Sequence, residues 1–177
     1  MVHASDLQHL SIRGRYAFGL ACVEALCEAW GVDDPFVSDE IDAHWQASEI
    51  RLACHWFEEH PFPRYAEDFD ARLRPGRLPA DRAQSLFHAL DETRMVICGS
   101  CYAAASDSDS MKSVLNVVGV LARWGVEPPV VSRFSHATWS GEFWSHGYGE
   151  PFPRESYQAS GQPPDAEPGA AADGGGM

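Results

Sequence analysis

The chain has 177 residues, a formal net charge of −13 at pH 7 and 45% hydrophobic residues. This length and composition are typical of one folded domain and exclude a wholly disordered chain. The acidic excess argues against direct binding to nucleic acid, because phosphates would be repelled, and it favours a basic partner.

Export and membrane insertion are not indicated by the sequence. No apolar run approaches the roughly eighteen residues that a membrane-spanning helix needs. The amino-terminal segment lacks the basic and apolar stretches of a secretory signal. Five cysteines, an odd number, indicate reduced thiols and not a disulfide framework. We therefore expect a cytoplasmic protein.

The first predicted helix covers residues 12–30. Apolar residues recur there every three or four positions, at Ile12, Tyr16, Leu20, Val23, Cys27 and Trp30. Arg13 and Glu24 lie away from this stripe. Gly31 is expected to cap the helix at its carboxyl end, and Pro35 prevents its continuation.

A second helix is predicted from an N-cap at Ser38 to about Glu59. Asp39 and Glu40 fall in its first turn, where carboxylates interact favourably with the helix dipole. Its buried side is marked by Ile41, Trp45, Leu52 and Trp56. Pro61 and Pro63 end the helix.

The rest of the folded region contains two more predicted helices. Residues 61–79 are rich in proline and predict a long connection with a short turn over 65–73. A third helix over 82–104 follows a cap at Asp81, and a fourth covers 111–124. Beyond Pro129 the pattern allows a short strand over 130–134 and a helical turn over 135–144.

These elements predict a mostly α fold, a four- to five-helix bundle-like domain with Pro-rich connections over residues 1–154. Residues 155–177 are acidic, rich in Gly, Pro and Ala, and predict a disordered tail. Trp-Gly-Val recurs at 30–32 and 124–126, and Pro-Phe-Pro-Arg recurs at 61–64 and 151–154. A degenerate duplication of a helical hairpin would explain this recurrence, and so would coincidence in short turn sequences.

The negative charge is concentrated in one segment. Residues 33–70 carry eleven acidic and two basic residues, a net charge of −9, and the tail carries four acidic residues and no base. A one-signed field of this kind accelerates association with a basic partner. The alternative is a solvated helix face that keeps the protein soluble.

The segment also carries two His-Trp pairs, which align on one helix face if the second helix is continuous. Tryptophans at this spacing belong either to the core or, if exposed, to an interface anchor. The candidate partner-binding residues are therefore Asp33, Asp34, Asp39, Glu40, Asp42, Trp45, Glu49, Trp56, Glu58 and Glu59.

Cys98-Gly-Ser-Cys101 is a second candidate site. Two thiols at this spacing can share a zinc ion or form a redox pair, but the motif lies late in a predicted helix, where the dipole disfavours a thiolate. Two small buried thiols in the core are the simpler interpretation. No nucleotide-binding or hydrolase motif is present in the sequence.

The leading hypothesis is an acidic protein-binding module without a cofactor. It would act as an inhibitor, similar in charge and size to an immunity protein or an anti-defence protein of bacterial or phage type. Its carboxylates would take the place of phosphates on the basic surface of a nuclease or another nucleic-acid-binding protein. The alternative is a zinc-binding or thiol redox protein based on Cys98 and Cys101.

Overall fold

A computed structural model describes residues 2–50, 53–102, 107–134 and 154–155, with side chains not described at 53–55, 99–102 and 107–108. Within these ranges the chain is helical and has no strand. The helices are α1 (Ala4–Leu7), α2 (Ile12–Trp30), α3 (Pro35–Glu49), α4 (Ala53–Glu59), α5 (Ala66–Asp70), α6 (Ala80–Tyr102) and α7 (Asp107–Arg123), followed by a 3₁₀ helix at Val131–Phe134. The mostly α prediction is confirmed.

Helix α2 lies at the centre of the bundle. It packs against α3, α6 and α7, and the last two also pack extensively on each other. Residues 11–20 are all buried, so the amino-terminal half of α2 has no solvent face. A helix that packs on several sides also buries residues outside its main apolar stripe. Arg13, which lies away from the predicted stripe, is therefore only 1% exposed.

The second predicted helix is in fact two helices. It begins earlier than expected, with Asp34 as N-cap and Pro35 in the first turn, so the predicted cap at Ser38 is wrong. Proline is favoured in the first turn because its missing N–H would have no partner within the helix there. At Ile50 the backbone is extended, with φ −89° and ψ 134°, and α4 starts at Ala53.

The later elements follow the predicted order with shifted ends. The predicted turn over 65–73 is the short helix α5, and α6 starts at Ala80. Helix α7 starts four residues before the predicted Met111. The predicted strand over 130–134 is wrong, since Val131–Phe134 forms a 3₁₀ helix that buries Phe134. The predicted turn over 135–144 and the predicted tail, apart from Glu155, lie outside the described residues.

The two Trp-Gly-Val strings form the same helix C-cap. Gly31 has φ 62° and Gly125 has φ 66°. The Val32 N–H donates to the Cys27 carbonyl, and the Val126 N–H donates to the Leu121 carbonyl, in each case five residues back. These are Schellman-type caps, in which glycine occupies the left-handed position without steric cost. The shared cap accounts for the glycine of each string, and the duplication remains a prediction.

The two capping tryptophans also contact each other. Trp30 and Trp124 meet edge to face with 5.3 Å between ring centroids. The Arg82 guanidinium carbon lies 5.5 Å from the first ring centroid and 5.7 Å from the second. Contacts of this geometry are favourable because the cation faces the electron-rich rings. They join the carboxyl ends of α2 and α7 to the start of α6.

Gly31→Ala is expected to destabilise the fold by about 1 kcal/mol, because alanine is strained in the left-handed conformation. An added Cβ at residue 31 would meet no atom within 4 Å, so the cost is in the backbone alone. The control is Gly119→Ala, in the exposed interior of α7, where nothing lies within 4 Å of an added Cβ. There the same change should stabilise the protein by about 1 kcal/mol. Urea denaturation of both variants tests this, and shifts of equal sign would contradict it.

Candidate functional site

The exposed side of α3 carries a row of carboxylates. Asp39, Asp42 and Glu49 are exposed there. At about 100° per residue, Asp42 and Glu49 lie on the same face and Asp39 is about 60° away. The row, defined by these three residues, spans roughly 15 Å along the helix. We call it the acidic row.

A carboxylate from α2 extends the acidic row. Glu24 of α2 and Asp42 of α3 both bind the guanidinium of Arg154: Arg154 Nη1 donates to Asp42 Oδ1 at 2.7 Å, and Nη2 donates to Glu24 Oε1. The Arg154 guanidinium carbon also lies 5.5 Å from the centroid of the Trp45 ring. Two helices therefore present negative charge to one cation.

The environment of Arg154 favours its charged form. Partial burial alone would lower its pKa, but the nearby carboxylates of Glu24 and Asp42 outweigh burial and raise the pKa of Arg154. Arg154 remains 30% exposed and Asp42 61% exposed, so the two ion pairs are in contact with solvent. Ion pairs with this exposure contribute little to stability.

Glu40 lies on a different side of α3 from the acidic row. It is about 160° around the helix from Asp42 and is half-buried. Burial raises the pKa of Glu40, Asp39 adds to this increase, and the positive charges of Arg72 and His60 oppose it. Glu40 thus faces basic groups of the chain itself and does not extend the acidic row.

Asp34 has a structural role. It is 2% exposed. Its Oδ1 accepts a hydrogen bond from the Phe36 N–H at 3.0 Å, and its Oδ2 accepts one from the Arg74 N–H at 2.8 Å. This carboxylate caps α3 and ties it to the segment after α5, so Asp34 is not available to a partner.

The two tryptophans predicted as possible interface anchors belong to the core. Trp45 is 3% exposed and Trp56 is 7% exposed. Trp45 lies on α3 and Trp56 on α4, so the predicted alignment of both rings on one face of a continuous helix is wrong. Trp45 donates from Nε1 to Glu24 Oε1 at 3.0 Å. Trp56 stacks on His60 with 4.2 Å between ring centroids and packs against Phe57.

The other predicted acidic residues are exposed at the ends of helices. Asp33 precedes α3, and Glu58 and Glu59 end α4. They lie on different elements from the acidic row of α3, so the ten predicted residues are spread over α3, α4 and the segment before α3. Of the acidic side chains, Asp42 and Glu24 come together at Arg154. A cleft of about 230 Å³ lies beside them and is lined in part by Glu24, Glu28, Trp45 and Arg133.

The thiols show no sign of activation where they are described. Burial raises the pKa of Cys22 and raises that of Cys27 to about 12, with Glu24 contributing in the second case. Cys98 is buried late in α6, and the side chain of Cys101 is outside the described residues. No group of three or more potential metal ligands occurs among the side chains that are described. The zinc or redox alternative remains a prediction.

Two residues of this site were not expected from the sequence. Glu24 lies away from the apolar stripe of its helix and outside the acidic segment 33–70. Arg154 is 112 residues from Asp42 in sequence. No local pattern in the sequence links Arg154 to Asp42 or Glu24, because the contact depends on how the chain folds.

Comparison of the chain with known protein families, with characterised proteins and with solved structures finds no match. Within the described residues, no helix has both the length and the apolar character needed to cross a membrane.

Proposed function

We propose that this protein is a cytoplasmic protein-binding module that inhibits a basic partner. Its acidic row would occupy a surface on which the partner, a nuclease or another nucleic-acid-binding protein, holds phosphates. A source in bacteria or phages is part of this proposal, which rests on the charge and size of the chain.

One observation carries the proposal: Asp39, Asp42 and Glu49 are exposed along one side of α3, and Glu24 of α2 meets Asp42 at a shared cation. Charges on two packed helices are fixed relative to each other, so they can match a spaced set of basic groups. Single-signed fields steer association and raise its rate most at low salt.

The proposal predicts that the acidic row is needed for partner capture. The triple variant Asp39→Asn, Asp42→Asn and Glu49→Gln should lose most of its captured basic protein from a lysate of the source cells, because the Coulomb attraction is removed. The wild-type complex should dissociate as salt increases, since screening shortens the range of the field. A DNA duplex should also compete for the captured protein.

The matched control is the triple variant Glu67→Gln, Asp68→Asn and Asp70→Asn. These acidic residues are exposed on α5, and the variant has the same change in net charge. It should capture the partner as the wild type does. If both variants lost the partner equally, net charge and not the acidic row would explain capture, and the proposal would fail. If the first variant captured the partner as the wild type does, the proposal would also fail.

A further inference from the structure

The guanidinium of Arg154 is held by three groups of different chemistry. Asp42 accepts a hydrogen bond from Nη1 at 2.7 Å, and Glu24 accepts one from Nη2. The Trp45 ring supplies an aromatic face 5.5 Å from the guanidinium carbon. A planar guanidinium can donate to both carboxylates while its face lies against the aromatic ring. An ammonium group can also donate to both, but it has no planar face to stack on the ring. We call Glu24, Asp42 and Trp45 the arginine site.

Contacts besides those of Arg154 also position the residues of the arginine site. Trp45 is 3% exposed, so its ring is fixed by packing. Its indole N–H donates to Glu24 Oε1 at 3.0 Å and thereby orients the carboxylate. Glu24 and Asp42 lie on helices that pack on each other. We therefore expect the site to keep its geometry when the guanidinium that occupies it leaves.

The occupant can be exchanged. Arg154 is 30% exposed and its partner Asp42 is 61% exposed, and ion pairs open to solvent are weak. Nineteen residues lie between Phe134 and Arg154 in sequence, and Arg154 is 112 residues from Asp42 and 130 from Glu24. The contact of Arg154 with the site is therefore tertiary.

We propose that the arginine site is the part of the acidic surface that binds a partner, that its ligand is an arginine side chain of that partner, and that Arg154 blocks it in the free protein. This inference rests on the proposed function, because the arginine is taken to belong to the basic partner proposed above. Binding then requires release of Arg154, and the apparent affinity is reduced by the fraction of molecules in which the site is occupied.

The test measures binding of a synthetic peptide of four arginines by calorimetry at low ionic strength. Arg154→Gln should bind this peptide roughly fivefold more tightly than the wild type, because the competitor is removed. The control Arg123→Gln makes the same charge change at an exposed arginine of α7 and should bind as the wild type does. A peptide of four lysines should gain less from Arg154→Gln.

A second variant tests the site itself. Asp42→Asn added to Arg154→Gln should weaken binding of the arginine peptide roughly fourfold relative to Arg154→Gln alone, since one of the two carboxylates is lost and a solvent-exposed ion pair is weak. Equal affinities for Arg154→Gln and Arg123→Gln would overturn the competition by Arg154. Equal affinities with and without Asp42→Asn would overturn the arginine site.

These outcomes are separable from those of the capture experiment. If the acidic-row variant loses its partner but Arg154→Gln changes nothing, the proposed function stands and the arginine site fails. If Arg154→Gln strengthens peptide binding but no basic protein is captured from cells, the arginine site stands and the proposed function fails.

Discussion

Replacing Arg13 with methionine is expected to lower the free energy of unfolding by roughly 3 kcal/mol or more. Arg13 is 1% exposed in the first turn of α2. Its Nη1 donates to the Ser48 carbonyl at 2.5 Å, and its Nη2 donates to the Ile50 carbonyl at 2.6 Å. Methionine fills similar space but donates no hydrogen bond, and each hydrogen bond to a charged group contributes about 1.5–3 kcal/mol.

Two variants control this prediction. Arg13→Lys keeps the charge but lacks the planar fork that reaches both carbonyls, so its loss of stability should be smaller than that of Arg13→Met but clearly measurable. Arg123→Met changes an exposed arginine of α7 and should shift stability by less than about 0.5 kcal/mol. Urea unfolding followed by circular dichroism measures all three. If Arg13→Met were as stable as the wild type, the hydrogen bonds of Arg13 to the Ser48 and Ile50 carbonyls would contribute nothing net.

Arg13 also explains why the end of α3 could not be predicted. Residues 50–52 are Ile, Arg and Leu, without a glycine or proline to end a helix. The carbonyls of Ser48 and Ile50 are satisfied by a side chain 35 and 37 residues away in sequence. A break stabilised by a tertiary contact leaves no local signal, because helix propensity is only a weak guide and packing overrides it.

The elements with local signals were predicted well. Both ends of α2, Ile12 and Trp30, match the prediction, because the apolar period and a capping glycine are encoded within the segment. The acidic row follows from helical periodicity in the same way. By contrast, its contact with Arg154 depends on chain folding over 112 residues, and the burial of Trp45 depends on which helices pack beside it.

The buried imidazole of His44 provides the second large expected effect. His44 is 2% exposed, and its Nδ1 lies 2.7 Å from the Glu40 carbonyl oxygen. Edge-to-face contacts with Trp56, Phe57 and Phe62 surround the ring. Burial lowers the pKa of His44 to about 4; the hydrogen bond to Glu40 opposes the shift and the charge of Arg94 adds to it.

Because the pKa of His44 is lower in the folded state than the ordinary value of 6.5, the unfolded chain takes up a proton first as pH falls. Protonation therefore favours unfolding between pH 6.5 and about 4, and stability increases with pH across this window. From pH 7.5 to pH 5, His44 alone should reduce the free energy of unfolding by roughly 2 kcal/mol.

Urea unfolding of the wild type and of His44→Phe at pH 7.5, 6 and 5 isolates this effect. Phenylalanine fits the aromatic environment of residue 44 and does not titrate. The variant should therefore lose less stability than the wild type between pH 7.5 and pH 5. This difference does not depend on how stable the variant is at pH 7.5. His88→Phe serves as the control, since the His88 side chain is 54% exposed and its removal should leave most of the pH dependence in place. Parallel pH profiles for wild type and His44→Phe would show that the imidazole titrates alike in both states. The comparison depends on differences between pH values, so the cost of replacing the hydrogen bond to Glu40 cancels.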